Sequence, residues 1–175
     1  SWIGILDEDN KTIKIAAFAG FEEGYFTNNK EITTIETSRG KGPTGTAMRE
    51  GRTIVCNDII NDPIMKPWEN NAIERGYNSS ISIPIIVRNK IIGSFNLYSG
   101  EKNTFSSSEE IELLEKITQN LSFTLESILF EEDRKVTEEK IQQLSQAVEQ
   151  SPVTILITNT NGDIEYTNPK FTEVT

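Results

Sequence analysis

The 175 residues supply few of the groups that enzymes use as nucleophiles, general bases or metal ligands. There is one cysteine, Cys56, and no histidine. A single thiol can neither close an intramolecular disulfide nor serve as both the attacking and the resolving group of a thiol redox cycle. Without histidine there is no Ser-His-Asp triad, no histidine-ligated haem, no usual zinc constellation and no phospho-accepting histidine. Cys56 therefore reads as a small buried hydrophobe, with redox sensing as the sharper alternative. The run Gly40-Lys41-Gly42-Pro43-Thr44-Gly45 is glycine-rich, but no Lys-Ser/Thr pair follows it, so it is a loop rather than a phosphate-binding P-loop. What remains is the chemistry of binding. Ser80 and Ser82 put two hydroxyls on one face of a strand. Trp68 and Tyr77 can stack and offer a polar tip. The plainer role of these residues is core packing, and Asp58 makes equal sense as an Asx turn or cap ahead of Asp62-Pro63.

Positioning such residues requires a scaffold, and the hydrophobic pattern predicts one. Trp2 to Leu6 and Thr12 to Phe18 read as a hairpin across turn-forming Asp7 to Asn10. Residues 27–42 read as a long polar loop, followed by a short helix around Thr46 to Glu50 that ends at Gly51. A short strand, Thr53 to Cys56, precedes a helix over 65–75 stopped by Gly76. Ser80 to Val87 and Ile91 to Tyr98 form the strongest hairpin, turning at Asn89-Lys90. Pro84 has no N–H to donate, so it must sit at an edge or a bulge. Ser106 and Glu109 match a capping box. They open a helix of about 45 residues ending at Ser151-Pro152, far beyond the ordinary length. Its apolar residues Ile111, Leu114, Ile117, Leu121, Leu125 and Ile128 resemble a coiled-coil stripe, Leu114, Leu121 and Ile128 lying seven apart. A charged run, Glu131 to Lys135, interrupts it, and periodicity resumes at Ile141, Leu144 and Val148. A second hairpin, Val153 to Asn159 with Asp163 to Thr167, turns at Asn161-Gly162 and leads into Asn168-Pro169 and Phe171.

Composition bounds the function classes. The formal net charge is −10, the pI about 4.6 and the hydrophobic fraction 35%. An acidic surface disfavours nucleic acid, and no apolar run is long enough to span a bilayer. One cysteine fits a reducing, cytoplasmic setting, even for a parent protein that is membrane-tethered. Both ends read as cuts within a longer chain. The long helix needs a partner along most of its length, and a homodimer through residues 106–150 is the simplest one.

The order of elements over residues 1–130 resembles the GAF domain, an α+β fold with an antiparallel sheet flanked by helices. Gly42-Pro43-Thr44-Gly45 with Ala47 and Gly51 carries the likeness, as do Val55, Asp58 and Asp62-Pro63. So do Gly76, Ser79, Ile81, Ile83 and Pro84 followed by Ile92-Gly93 and Leu97, and the stretch from Phe105-Ser106 to Leu114. The family's first helix is missing. Residues 131–150 continue the long helix as a linker. Residues 141–175 are similar to the opening of a PAS domain, with its truncated start at 151–175, through Ala147 to Pro152, Ile155, Ile157-Thr158, Asn161-Gly162, Ile164, Tyr166 to Pro169 and Phe171. The resemblance implies a small-molecule pocket lined by Phe18, Asp58, Trp68, Ile73, Tyr77, Ser80, Ser82 and Asn96. It supports no haem, bilin or metal cofactor and leaves the ligand unknown: the phytochrome-like Cys-His pair and the Asn-Lys-x-Phe-Asp-Glu string of the cyclic-nucleotide branch are absent. On this reading the chain is not an enzyme. It is a sensing and dimerisation module of a sensor histidine kinase or, next, a diguanylate cyclase, and the alternative is a ligand-free structural dimerisation module.

Overall fold

The computed structural model describes residues 1–7, 9, 11–20, 32–37 and 40–174. They fall into two compact units, Ser1–Glu126 and Ser127–Thr175.

In the first unit, six strands form one antiparallel sheet in the order β3-β2-β1-β6-β5-β4. The strands are β1 (Trp2–Leu6), β2 (Thr12–Phe18), β3 (Ile32–Thr33), β4 (Ile54–Cys56), β5 (Ser79–Val87) and β6 (Lys90–Ser99). Residues 27–31 and 38–39 of the expected 27–42 loop lie outside the described residues, and its described part contains β3, which pairs with β2. The β5–β6 turn is centred on Arg88 and Asn89, whose φ values of 50° and 59° are those of a type I′ turn. That is one residue earlier than the sequence suggests, because Val87 pairs directly with Lys90. Pro84 lies beyond the last β4 partner of β5, since that pairing ends at Ile54 and Ser82. No ladder bond from β4 asks for its missing N–H. Two residues on, Ile86 gives its N–H to Ser122 Oγ of the long helix at 3.2 Å.

Alternation along β5 divides the core. Ile81 and Ile83 face one side, where they pack with Phe105 against Val55, Leu97, Ile111 and Leu114. Each such isoleucine contributes about 1.5–3 kcal/mol by burial. Ser80 and Ser82 face the other side. There α1 (Pro43–Glu50), a 3₁₀ turn (Pro63–Trp68) and α2 (Glu69–Glu74) close over the sheet. The helix expected at 65–75 is thus split at Trp68. Pro63 and Pro67 account for the tight first half, and Asp62 caps it by accepting from the Ile64 N–H at 3.0 Å.

The long helix α3 spans Ser108–Glu149. Its cap is Ser107, not Ser106: the Glu110 N–H donates to Ser107 Oγ at 3.3 Å, while Ser106 Oγ accepts from Asn57 Nδ2 at 3.2 Å. Thr118, inside the expected coiled-coil stripe, is buried, and Ile111 and Leu114 are committed to the sheet.

In the second unit, β7 (Leu156–Thr158) and β8 (Ile164–Thr167) form a hairpin followed by α4 (Pro169–Val174). Asn168 is buried and organises it. Its Oδ1 accepts from the Ile155 and Phe171 N–H groups at 2.9 and 3.3 Å, and its Nδ2 donates to the Val153 carbonyl at 3.0 Å. Pro169 follows at the first helical position, where its missing N–H costs nothing.

Candidate functional site

The site is built where α1 meets the sheet. The glycines at the start of α1, Gly42 at its cap and Gly45 in its first turn, leave room for close approach. A Cβ on Gly42 would stand 2.4 Å from the Trp68 ring, and one on Gly45 would stand 2.3 Å from the Gly40 carbonyl oxygen. Arg49, one turn further along α1, ties this turn down by donating to the carbonyls of Gly40 at 2.6 Å and Gly45 at 3.2 Å. The run read as an ordinary loop is therefore a rigid bracket that sets Thr44 against the sheet.

A polar row crosses the sheet beneath it. Ile54, Ser82, Asn96, Trp2 and Phe18 are successive cross-strand partners and so share one face. Thr44 Oγ1 donates to Asn96 Oδ1 at 2.9 Å and lies 3.4 Å from Ser82 Oγ. Asn96 Nδ2 donates to Ser94 Oγ at 3.0 Å and to the Ser94 carbonyl at 3.2 Å. Asn96 is 0% exposed, and nearly all its hydrogen-bonding capacity is used internally. One register step along, Cys56, Ser80 and Tyr98 form the next row. Ser80 is 2% exposed, and its hydroxyl has no partner among the described residues. Tyr77 stacks on Tyr98 with ring centroids 5.0 Å apart. Both rings pack on the cluster of Cys56, Ile59, Met65, Trp68 and Ala72.

A cavity of ≈20 Å³ lies among these elements, bounded by Ile32, the Gly42–Gly45 turn, Met65, Trp68 and Tyr98. It is large enough for about one water molecule. Of the eight residues the sequence assigned to a pocket, Trp68 alone lines this cavity. Ser80, Ser82, Asn96 and Tyr77 lie on the same side of the sheet nearby. Phe18 shares the Asn96 row two strands away but is 57% exposed, and Ile73 is 47% exposed on α2. Asp58 sits in the turn after β4. Its Oδ2 accepts from Lys102 Nζ and Asn61 Nδ2, both at 2.8 Å, and these bonds hold its carboxyl below the usual range. These contacts serve the turn, while its Oδ1 is buried with no partner among the described residues. The sequence reading missed Thr44, Ser94, Met65 and Tyr98. The alternation that singled out Ser80 and Ser82 on β5 also places Ser94, Asn96 and Tyr98 on one face of β6.

Cys56 is fully buried. Burial, and then the neighbouring Asp62 carboxylate, push its thiol up to about 12. The native protein at pH 8 is expected to react with a disulfide reagent roughly 10³-fold more slowly than a free thiol, and at the free-thiol rate once unfolded in guanidinium. Rapid native labelling would show that Cys56 is reachable and reactive.

A larger groove of ≈540 Å³ opens on the opposite face, between β5 and α3. Two of its polar contacts already serve the fold: Ser122 Oγ holds the Ile86 N–H, and Glu115 accepts from the Thr53 hydroxyl. Unlike the Ser80 face, it offers no buried side-chain hydroxyl without a partner among the described residues.

Residues 1–126 match the family model of the GAF domain. A search of curated proteins finds no match. Among solved structures, the chain is similar to a domain assigned to a two-component sensor histidine kinase of Sinorhizobium meliloti 1021. That likeness has 18% identity and a TM-score of 0.61, and covers 77% of this chain and 83% of the other. It is similar to fRMsr of Staphylococcus aureus in complex with substrate, with 24% identity and a TM-score of 0.53, over 71% of each chain. It is also similar to the type II free methionine-R-sulfoxide reductase of Thermoplasma acidophilum, with 23% identity and a TM-score of 0.53, over 69% of this chain and 75% of the other. At these identities the likeness is one of fold. It still corrects the expectation that the chain is not an enzyme: the same architecture houses reductases, so an enzyme role stands open. Among the described residues, no helix is long and apolar enough to cross a membrane.

Proposed function

The chain belongs to the GAF domain family, and from that premise we propose that it senses a small molecule on the Ser80–Asn96 face of its sheet and relays the bound state through α3 to further domains. GAF domains are small-molecule sensing and signalling modules. The observation that carries the reading is the alternation along β5. Ser80 and Ser82 point at the cavity side, while Ile81 and Ile83, their immediate neighbours, pack against Ile111 and Leu114 of α3. A shift of this strand on one face is felt on the other, because close-packed interfaces move between discrete arrangements rather than deforming smoothly. The relay works through a homodimer along α3. It reaches a PAS domain beginning near residue 151 and, beyond it, the output domain of a sensor histidine kinase or, next, a diguanylate cyclase. The free cysteine supports a reducing, cytoplasmic setting.

One observation favours a second reading, a ligand-free dimerisation module: the cavity of ≈20 Å³ admits a water and nothing larger without side-chain movement. Native mass spectrometry of the purified chain separates the two. Sensing predicts an added mass of metabolite size that is lost on denaturation. A bare mass from every expression host tried, with no thermal shift against a metabolite library, would overturn sensing in favour of the ligand-free module.

A further inference from the structure

The dimeric relay proposed above needs a surface on α3, and most of the stripe that first suggests one is already used, with only Ile117 and Ile128 about half exposed. Ile111 and Leu114 pack on Ile81, Ile83 and Phe105, Thr118 is buried, and Leu121 and Leu125 are half-buried within the first unit. The sheet has taken that face. A separate set of residues lies on the part of α3 in the second unit. Phe130, Thr137, Ile141, Leu144 and Val148 follow at intervals of seven, four, three and four. These are the alternating seam positions of a heptad, with Arg134 at the one remaining position. Phe130 is 62% exposed and Ile141 and Leu144 are each 61% exposed, while Val148 at the end of the seam is half-buried.

We propose that two copies of the chain meet along this seam, Phe130 to Val148, and not along Ile111 to Ile128. Four of the six seam positions are apolar, and a heptad seam of this kind is filled by knobs from another helix with the same repeat. The other described helices, α1, α2 and α4, have eight residues or fewer and cannot supply it. A second copy carries the identical stripe and so is self-complementary. The charge at the seam agrees. Arg134 would be out of place in an apolar interface, but the flanking residues of that turn, Glu131, Asp133 and Glu138, are all acidic. Arg134 already pairs with Glu131 at 3.0 Å and with Glu138, so acid from either helix meets the arginine of each copy. The seam rises only about 27 Å, which makes the dimer reversible rather than permanent, as a switch requires.

Sedimentation equilibrium of the full chain, over concentrations up to about 200 µM, tests the seam because dimerisation is concentration-dependent. Wild type is expected to dimerise. Ile141→Glu and Leu144→Glu are expected to weaken the dimer about 100-fold by burying an unpaired charge. Ile128→Glu and Val136→Glu alter residues that are equally exposed but off the seam, and should leave the dimer within about threefold of wild type. Circular dichroism confirms that each variant keeps its helix, and Leu144→Ala, expected to weaken the dimer about tenfold, gives the same comparison without an added charge. If Ile128→Glu or Val136→Glu dissociates the dimer while the seam variants do not, this seam is wrong and the dimeric relay stands. A wild-type chain that stays monomeric overturns both, and leaves ligand sensing to the mass measurement.

Discussion

Replacing Trp68 with alanine is expected to destabilise the 1–126 unit by about 3–5 kcal/mol, the usual cost of deleting a large buried aromatic side chain. Trp68 is 9% exposed and belongs to the cluster of Cys56, Ile59, Met65 and Ala72. Its ring also lies against the backbone of Gly42, so close that no Cβ fits between them. The indole is therefore both a core residue and one wall of the cavity. Removing it leaves an apolar void joined to a space of ≈20 Å³. A void of that kind can be refilled from solution. Millimolar indole should restore part of the lost stability in urea unfolding, in proportion to its occupancy of the folded state. It should have no effect on wild type, where the ring already fills the space. Trp68→Phe should fall between the two. Near wild-type stability of Trp68→Ala would mean that the segment collapses freely onto the sheet. The 3₁₀ turn would then be a loose cover rather than a packed wall.

The same contrast between packed and spare groups explains how much of the molecule could be read in advance. The strands of the main sheet were legible because burial on one or both faces imposes a period, and β1, β2, β5 and β6 fall where that period puts them. Errors of a single residue arose where two neighbours have the same chemistry. Ser106 and Ser107 can both cap, and the choice was made by Asn57, which draws Ser106 away from the helix end. Arg88 has no turn signature, yet it takes a positive φ because the Val87–Lys90 pairing leaves only two residues for the turn. The stripe on α3 was read correctly as apolar and helical, but periodicity cannot say whether a sheet or a second helix covers it. At the candidate site, the sequence marked the hydroxyls of β5 and missed Thr44. The missing link is tertiary: a helix start held by Arg49 brings that threonine onto Asn96, across 52 positions of sequence. Local pattern carries no trace of such a contact.

That contact sets the sharpest test of which polar groups serve the fold and which are left for a ligand. Asn96→Ala is expected to cost about 3 kcal/mol, because three hydrogen bonds are lost in a buried site and the Thr44 hydroxyl keeps only its longer, 3.4 Å contact with Ser82 Oγ. Adding Thr44→Val to Asn96→Ala should recover part of that loss, since removing both partners of a buried bond is cheaper than removing one. Ser80→Ala should behave in the opposite way. Its hydroxyl has no partner among the described residues and is almost wholly buried, so its removal should change stability by less than about 0.5 kcal/mol or raise it. Chemical denaturation of the three variants measures all of this. If Ser80→Ala instead costs 2 kcal/mol or more, that hydroxyl is bonded within the protein and is not held in reserve. If it is neutral for folding but abolishes the metabolite mass expected in the native spectrum, then Ser80 is the group that greets the ligand. A buried donor that contributes nothing to the fold is a standing cost, and it becomes favourable only when something enters to bind it.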